Sequence, residues 1–228
     1  MQISIKKIFA GAAVFLLTQI SFAQEKKDLL YSNRVSVLAG LIQPILLKGG
    51  NIEITYFSKR MSFDYSHGFL LNMSGGTITG DAKTQHLAYH LPYSTGFGVG
   101  YRFSSYFDVR IESKIHSWEV YYDGETQNKS NLIKAYKTYS LGIGAYYRYM
   151  PFHKKDNWLQ GITTSTSLRW WPNIASSLTD NKFTYYNKFT NKEETLKASN
   201  IGIAGSQFLM NVSVGYTFGG KKGSVKEE

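Results

Sequence analysis

The chain contains no cysteine in its 228 residues, which excludes disulfide staples and thiolate metal centres and leaves no residue for a lipoprotein anchor. An oxidising compartment permits disulfides without requiring them, so their absence leaves export open. Proline is nearly as scarce: there are only Pro44, Pro92, Pro151 and Pro172. A proline has no N–H to give a ladder, so each is read as a strand boundary. Long apolar runs are missing after residue 23, where charged or polar residues interrupt every one, so nothing there can cross a membrane as a helix. Acidic residues are outnumbered, 16 Asp and Glu against 26 Lys and Arg, for a net charge of +10. The basic residues are dispersed and form no clustered footprint, so no nucleic-acid partner is expected.

The apolar run at 8–20 is shorter than the roughly 20 residues of a spanning helix. Lys6 and Lys7 precede it and Ser21-Phe22-Ala23 follows it, which is the form of a signal peptide, 1–23, cleaved before Gln24. An uncleaved anchor is the alternative, and the length of the run disfavours it. The remainder, 24–228, suits one domain without a linker.

What the sequence does have is period-two alternation. In 208–218, Phe208, Met210, Val212, Val214, Tyr216 and Phe218 fall on one face, with Leu209, Asn211, Ser213, Gly215 and Thr217 on the other. Segment 93–103 sets Tyr93, Phe97, Val99, Tyr101 and Phe103 against Ser94, Gly96, Gly98, Gly100 and Arg102. Segment 139–149 sets Tyr139, Leu141, Ile143, Ala145, Tyr147 and Tyr149 against Ser140, Gly142, Gly144, Tyr146 and Arg148. Segment 60–71 carries Met61, Phe63, Tyr65, Phe69 and Leu71 on its apolar face, and 106–116 carries Phe107, Val109, Ile111 and Ile115. Weaker versions occupy 34–41, 51–57 and 158–171. Several approach the 9–11 residues that a tilted strand needs to cross a bilayer. The links alternate between short (58–59, 104–105, 151–157) and mostly longer (72–92, 121–137, 172–207). This pattern predicts an all-β fold, a transmembrane antiparallel up-and-down barrel of about eight strands with both ends on the short-turn side.

A soluble barrel of the lipocalin kind alternates too, with its apolar face inward. Two features favour the opposite orientation. The non-apolar face is built of Gly, Ser and opposed charges, which suits a crowded lumen rather than a solvated exterior. The apolar faces also end in aromatics: Tyr101, Phe103, Tyr147, Tyr149, Tyr216 and Phe218 at one end, Tyr93, Tyr139, Trp170 and Phe208 at the other. Two girdles at bilayer interfaces explain that placement, because amphipathic rings favour the headgroup level.

This arrangement resembles the small OmpA/OmpX-type outer-membrane barrels in pattern and topology. The resemblance implies the outer membrane of a Gram-negative cell, with membrane lipid and lipopolysaccharide as surroundings and a monomeric state. The strand 208–218 looks like the aromatic-ended last strand through which the barrel-assembly machinery recognises such chains. The basic excess fits a face turned towards anionic lipopolysaccharide.

By parity the inward set is Arg34, Glu53, Asp64, Arg102, Asp108, Arg110, Glu112, Lys114, His116, Arg148 and Arg169. An eight-stranded interior is just wide enough for side chains to fill. The favoured reading is an ion-pair network that plugs the lumen; a narrow ion path or switchable gate is the alternative. His116, Ser117 and Glu119 form the one local group with catalytic residue types, but neighbours on a strand point to opposite faces, so His116 and Ser117 cannot pair without a bulge. The group also lacks the His-x-Ser spacing of lipid A deacylases. His67 falls on the lipid-facing set, and His86, His90 and His153 have no ligand spacing, so no metal or cofactor is expected. In the longest link, Lys182, Tyr185, Tyr186 and Lys188 suit contact with glycans or lipopolysaccharide phosphates. A hairpin pairing 181–190 with 194–203 across Asn191-Lys192 accounts for the same residues and is favoured. The expected role is structural or adhesive at the cell surface, ahead of a channel or carrier for a small solute, with a lipid A-modifying enzyme last.

Overall fold

The computed structural model describes residues 33–219. The signal-peptide reading and the tail after Gly219 lie outside the described residues. Eight strands form the wall: β1 (Arg34–Gly40), β2 (Gly50–Ser58), β3 (Met61–Met73), β4 (Leu87–Arg102), β5 (Phe107–Tyr122), β6 (Lys134–Tyr149), β7 (Ile162–Trp170) and, last in the chain, β11 (Phe208–Gly219). Each pairs antiparallel with the next, and β11 pairs with both β7 and β1, so the ring is closed. Closure leaves the lower wall without a free ladder edge. The register Arg34↔Gly219 brings both described ends together beside the short turns.

Side-chain burial alternates along β1 and β5 in the lower ring, with mostly polar residues and glycine inward and apolar residues outward; Leu38 and Phe57 are inward exceptions. Outward Phe97 and Ile111 are 69% and 63% exposed, whereas inward Arg110 and Glu112 are completely buried. The wall is lopsided. β4, β5 and β6 have 16 residues each and rise well above β1, which has 7. In that taller part the interior is apolar: Leu71, Leu87, Tyr89, Leu91, Trp118, Val120, Tyr122 and Tyr136 form one buried cluster. The segment between β7 and β11 adds a short strand β8 (Asn173–Ser176) and a hairpin, β9 (Lys182–Asn187) and β10 (Lys192–Lys197). Phe183 and Leu196 of the hairpin cap the cluster from above.

The upper and lower zones have opposite hydrophobic phase, and the chain makes the change in two ways. β5 and β6 keep an unbroken register, Phe107↔Tyr147 through Val120↔Lys134, so their backbone parity never changes. There the sequence itself inverts: Ile111 and Ile115 point out, whereas Trp118, Val120 and Tyr122 point in. β3 and β4 do it with the backbone. Leu70 adopts a left-handed φ of 53°, and β4 shifts register against β5 between His90 and Ser94, around Pro92. Phe69↔Tyr93 and Leu71↔Leu91 remain paired across this level, so both strands flip together. An extra residue of this kind re-aims every side chain beyond it.

Several sequence-based expectations change accordingly. Leu71 lies inside, not on the outer face, because Leu70 reverses the parity. Pro92 sits at a bulge within β4 rather than at a boundary, and Pro44 lies in a one-turn helix, α1 (Ile42–Leu46). The links 72–92 and 121–137 are shorter than expected, because β3 and β4 take in 72–73 and 87–92 and β5 and β6 take in 121–122 and 134–137, and 158–161 is a 3-10 turn preceding β7. The hairpin forms, but Asn187 pairs with Lys192, so its turn is 188–191 with Asn191 at φ 53°.

Leu71→Ala removes a side chain from a packed interior and should cost about 2–5 kcal/mol, whereas Leu70→Gly should be tolerated because glycine adopts positive φ freely. Urea titration of the refolded protein in detergent measures both. Equal, small effects would contradict the inward placement of Leu71.

Candidate functional site

β5 carries the longest inward charges, and its two neighbours make room for them. Arg110 faces Gly100 and Gly144 across the ladders, Glu112 faces Gly98 and Gly142, and Lys114 faces Gly96 and Ser140. The spaces are filled: a Cβ on Gly100 would stand 2.6 Å from Arg110 Cγ, and one on Gly144 would stand 2.7 Å from Glu112 Oε2. The glycines on the inward face of β4 and β6 are therefore the sockets of the charged side chains.

Arg110 is the hub of the lumen. Its Nε donates to Asp108 Oδ2 at 2.6 Å, and its Nη1 lies 2.8 Å from Asp64 Oδ1 and 3.1 Å from Glu53 Oε1. Arg169 Nη2 meets the other oxygen of Glu53 at 2.9 Å, and Arg148 Nη1 meets the other oxygen of Asp108 at 3.1 Å. The Tyr146 ring lies against two guanidiniums, 3.7 Å from Arg110 and 4.9 Å from Arg169. Its hydroxyl donates to Glu112 Oε1 at 2.5 Å. Trp171 closes the layer from above, its indole N–H donating to Glu112 Oε2 at 2.8 Å while its ring belongs to the apolar cluster. Lys114 donates to Ser66 Oγ at 2.5 Å and lies 3.9 Å from Asp64 and 4.0 Å from Glu112.

All eleven residues singled out by parity are buried on the inward face. They do not form one uniform network. Arg34 and Arg102 lie near the short-turn end, where Arg34 reaches Met150 Sδ at 3.6 Å and Arg102 donates to the Lys59 carbonyl at 2.6 Å. Arg102 and Arg148 both lie against the Phe57 ring, at 5.0 and 4.2 Å. His116 sits above the charges, 2.7 Å from Ser94 Oγ through Nδ1 and 3.2 Å from Ser140 Oγ through Nε2. Both ring nitrogens are thus engaged by hydroxyls, and the sequence neighbours Ser117 and Glu119 are not on the His116 face. Tyr146, Trp171 and Phe57 join the layer without having been singled out by their residue type, although Tyr146 and Phe57 share the inward parity of the charged set.

The outward aromatics cluster at two levels. Near the short turns, Tyr101 and Phe103 are 5.1 Å apart, Phe103 and Phe107 5.9 Å, Tyr216 and Phe218 4.7 Å, and Tyr147 stands 6.4 Å from Tyr106; Tyr149 is the last residue of β6. Tyr93 and Tyr139 mark the upper level, where the hydrophobic phase inverts, and Trp170 pairs with Phe208 where β7 meets β11. His67 is part of this outer surface, 6.3 Å from Phe69.

At the long-loop end the four residues expected to act together are separated. Tyr185 points towards the barrel and donates to Gln85 Oε1 at 2.8 Å; its burial, then the Glu194 carboxylate, push its phenol above the usual tyrosine range. Tyr186 points outward and is 60% exposed. Lys188 pairs with Glu125 and lies 4.5 Å from the Tyr122 ring, so it fastens the hairpin tip to β5. Lys182, at the opposite end of β9, lines a cavity of about 420 Å³ beneath the hairpin. Among the described residues no cluster of His, Asp and Glu could hold a metal.

Arg110→Ala leaves three buried carboxylates without their shared cation and should cost about 3–5 kcal/mol, as removal of one partner from a buried pair does. Arg110→Lys should recover only part of this, because one ammonium cannot reproduce a forked guanidinium. Unfolding followed by the change in gel mobility measures both. Full stability in the alanine variant would contradict the hub assignment.

No protein-family model and no curated protein matches the chain. Among solved structures it is similar to a major outer membrane protein from Thermus thermophilus, at 12% identity, over 82% of this chain and 99% of that chain, with a TM-score of 0.38. A likeness that distant carries no argument about function, which rests on the geometry above.

Proposed function

We propose that the chain is a monomeric outer-membrane barrel with a structural or surface-interaction role and a plugged lumen. The observation that carries the reading is the inversion of hydrophobic phase along β5. Phe107, Ile111 and Ile115 expose apolar surface, and two residues further the outer face turns polar with Ser117 and Glu119 while Trp118 and Val120 turn inward. A strand obeys the first rule beside lipid and the second in water. At about 3.3 Å per residue and about 40° of tilt, Phe107 to Ile115 covers about 20 Å of a membrane normal, close to the apolar band of about 25 Å in such barrels. The aromatic levels bound the same belt, and the capped end above it would face outward from the cell.

Filling favours a scaffold over a conduit. Arg110, Glu112 and His116 have no exposure at all, and the apolar cluster with its hairpin cap lies on top of them. An enzyme reading has less support, since the His116–Ser94 contact is sealed beneath Trp118 and Trp171. Membrane lipid and lipopolysaccharide are the proposed surroundings, and the aromatic-ended β11 is the proposed signal for the assembly machinery.

Purified protein inserted into planar bilayers should show no discrete single-channel events at any applied voltage. Reproducible unitary steps would overturn the plugged-lumen reading in favour of a narrow channel.

A further inference from the structure

The cavity under the hairpin has a lining that the barrel does not require. Lys182 and Lys197 are directly paired across β9 and β10, both exposed on the same face, and both border the cavity. Like charges placed directly opposite each other destabilise a sheet, so the arrangement works against the hairpin that carries it. Among the described residues neither lysine makes an ion pair or a side-chain hydrogen bond, whereas Lys188 of the same hairpin is paired with Glu125. The rest of the lining presents a different chemistry. Asp81, from the helical turn α2 (Gly80–Thr84), and Asn200 offer hydrogen-bond acceptors and donors, while Met73, Ile78 and Tyr89 give the cavity an apolar side, with the fully buried Trp118 packed against Tyr89. The volume, about 420 Å³, lies within the range of about 300–1,000 Å³ typical of small-molecule sites.

Each part of this lining selects against a simpler ligand. A bare anion would satisfy the two ammonium groups but leave Asp81, Asn200 and the apolar side unused. An uncharged sugar would use the acceptors and the apolar side but leave the lysine pair uncompensated. A saccharide carrying a phosphate or carboxylate answers all three, with the anion between Lys182 and Lys197, hydroxyls on Asp81 and Asn200, and a C–H face against the apolar side. We infer that this cavity binds an acidic saccharide unit. The inference rests on the reading that the capped end faces outward, and it gives the surface-interaction role a ligand class. The unit could come from the lipopolysaccharide of the same membrane or from a free glycan, and the chemistry of recognition is the same for both.

Calorimetric titration of the folded full-length mature protein in detergent tests it, with glucose 6-phosphate as probe and glucose and inorganic phosphate as controls. Glucose 6-phosphate should bind saturably and more tightly than either control, with an affinity that falls as salt is raised. The double variant Lys182→Ala/Lys197→Ala should lose about tenfold or more in affinity, and Lys192→Ala, at the other end of the hairpin, should lose none. Absence of saturable binding, or binding indifferent to the double variant, overturns the inference. Repeating the titration in nanodiscs containing purified lipopolysaccharide separates the sources: competition assigns the site to the membrane's own saccharide, and undiminished binding assigns it to a free one. Insertion and gel mobility of every variant are checked first, so a barrel that fails to insert removes the functional reading, whereas a null titration on inserted protein removes only the ligand.

Discussion

A ring of eight strands encloses an interior that its own side chains must fill, and here the filling at the centre is charged. Taking Arg110 and its three carboxylate partners out of water costs several kcal/mol per ion, which only close, mutual pairing offsets. The rest of the barrel follows from meeting that condition. Glycines on β4 and β6 open sockets on either side of β5, Tyr146 and Phe57 offer ring faces to guanidiniums, and the hydroxyls of Thr55, Ser62, Ser66 and Ser167 contact Asp64, Asp108, Lys114 and Arg169. Trp171 seals the layer, with one atom in the polar zone and its ring in the apolar one.

The second constraint is that one continuous sheet carries its apolar side chains on opposite faces in its lower and upper zones. Below the level of Tyr93 and Tyr139 its outer face is greasy; above that level its inner face is. β5 and β6 achieve this by changing which parity carries the apolar residues. β3 and β4 instead keep their apolar residues on odd positions and turn the backbone over at Leu70 and Pro92. The two devices act at one level of the barrel because the pairs Phe69↔Tyr93 and Leu71↔Leu91 hold the strands in step. The hairpin then covers the apolar upper mouth, held at its tip by Lys188 and Glu125.

The lower ring is legible in the sequence because its backbone is regular. Where parity is unbroken, as along Asp108, Arg110, Glu112, Lys114 and His116, counting by twos is enough to assign a face. The upper zone is not legible, for the converse reason. Nothing in the residue Leu70 announces a left-handed φ, so a count by twos puts Leu71 on the wrong face. The inward run Trp118, Val120 and Tyr122 obeys an inverted rule, so the alternation read over 106–116 does not extend to it and Tyr122 falls in the link 121–137. The hairpin is visible as a pattern, but its register depends on a four-residue turn with Asn191 at positive φ, and the pattern alone does not discriminate that from a turn at 191–192. Lys182 and Lys188 look alike in sequence; only the fold separates a cavity wall from a fastening.

The central claim is that the belt between the two aromatic levels lies in lipid and ends sharply. Paramagnetic relaxation in lipid nanodiscs tests it directly, with a nitroxide carried in the acyl chains and a water-soluble gadolinium chelate as the complementary probe. The account predicts that the lipid probe relaxes Phe97, Ile111 and Leu141, that its effect stops between Ile115 and Ser117, and that the soluble probe takes over at Glu119 and Lys137. Uniform relaxation of β5 by the soluble probe, with no step at that level, would contradict it.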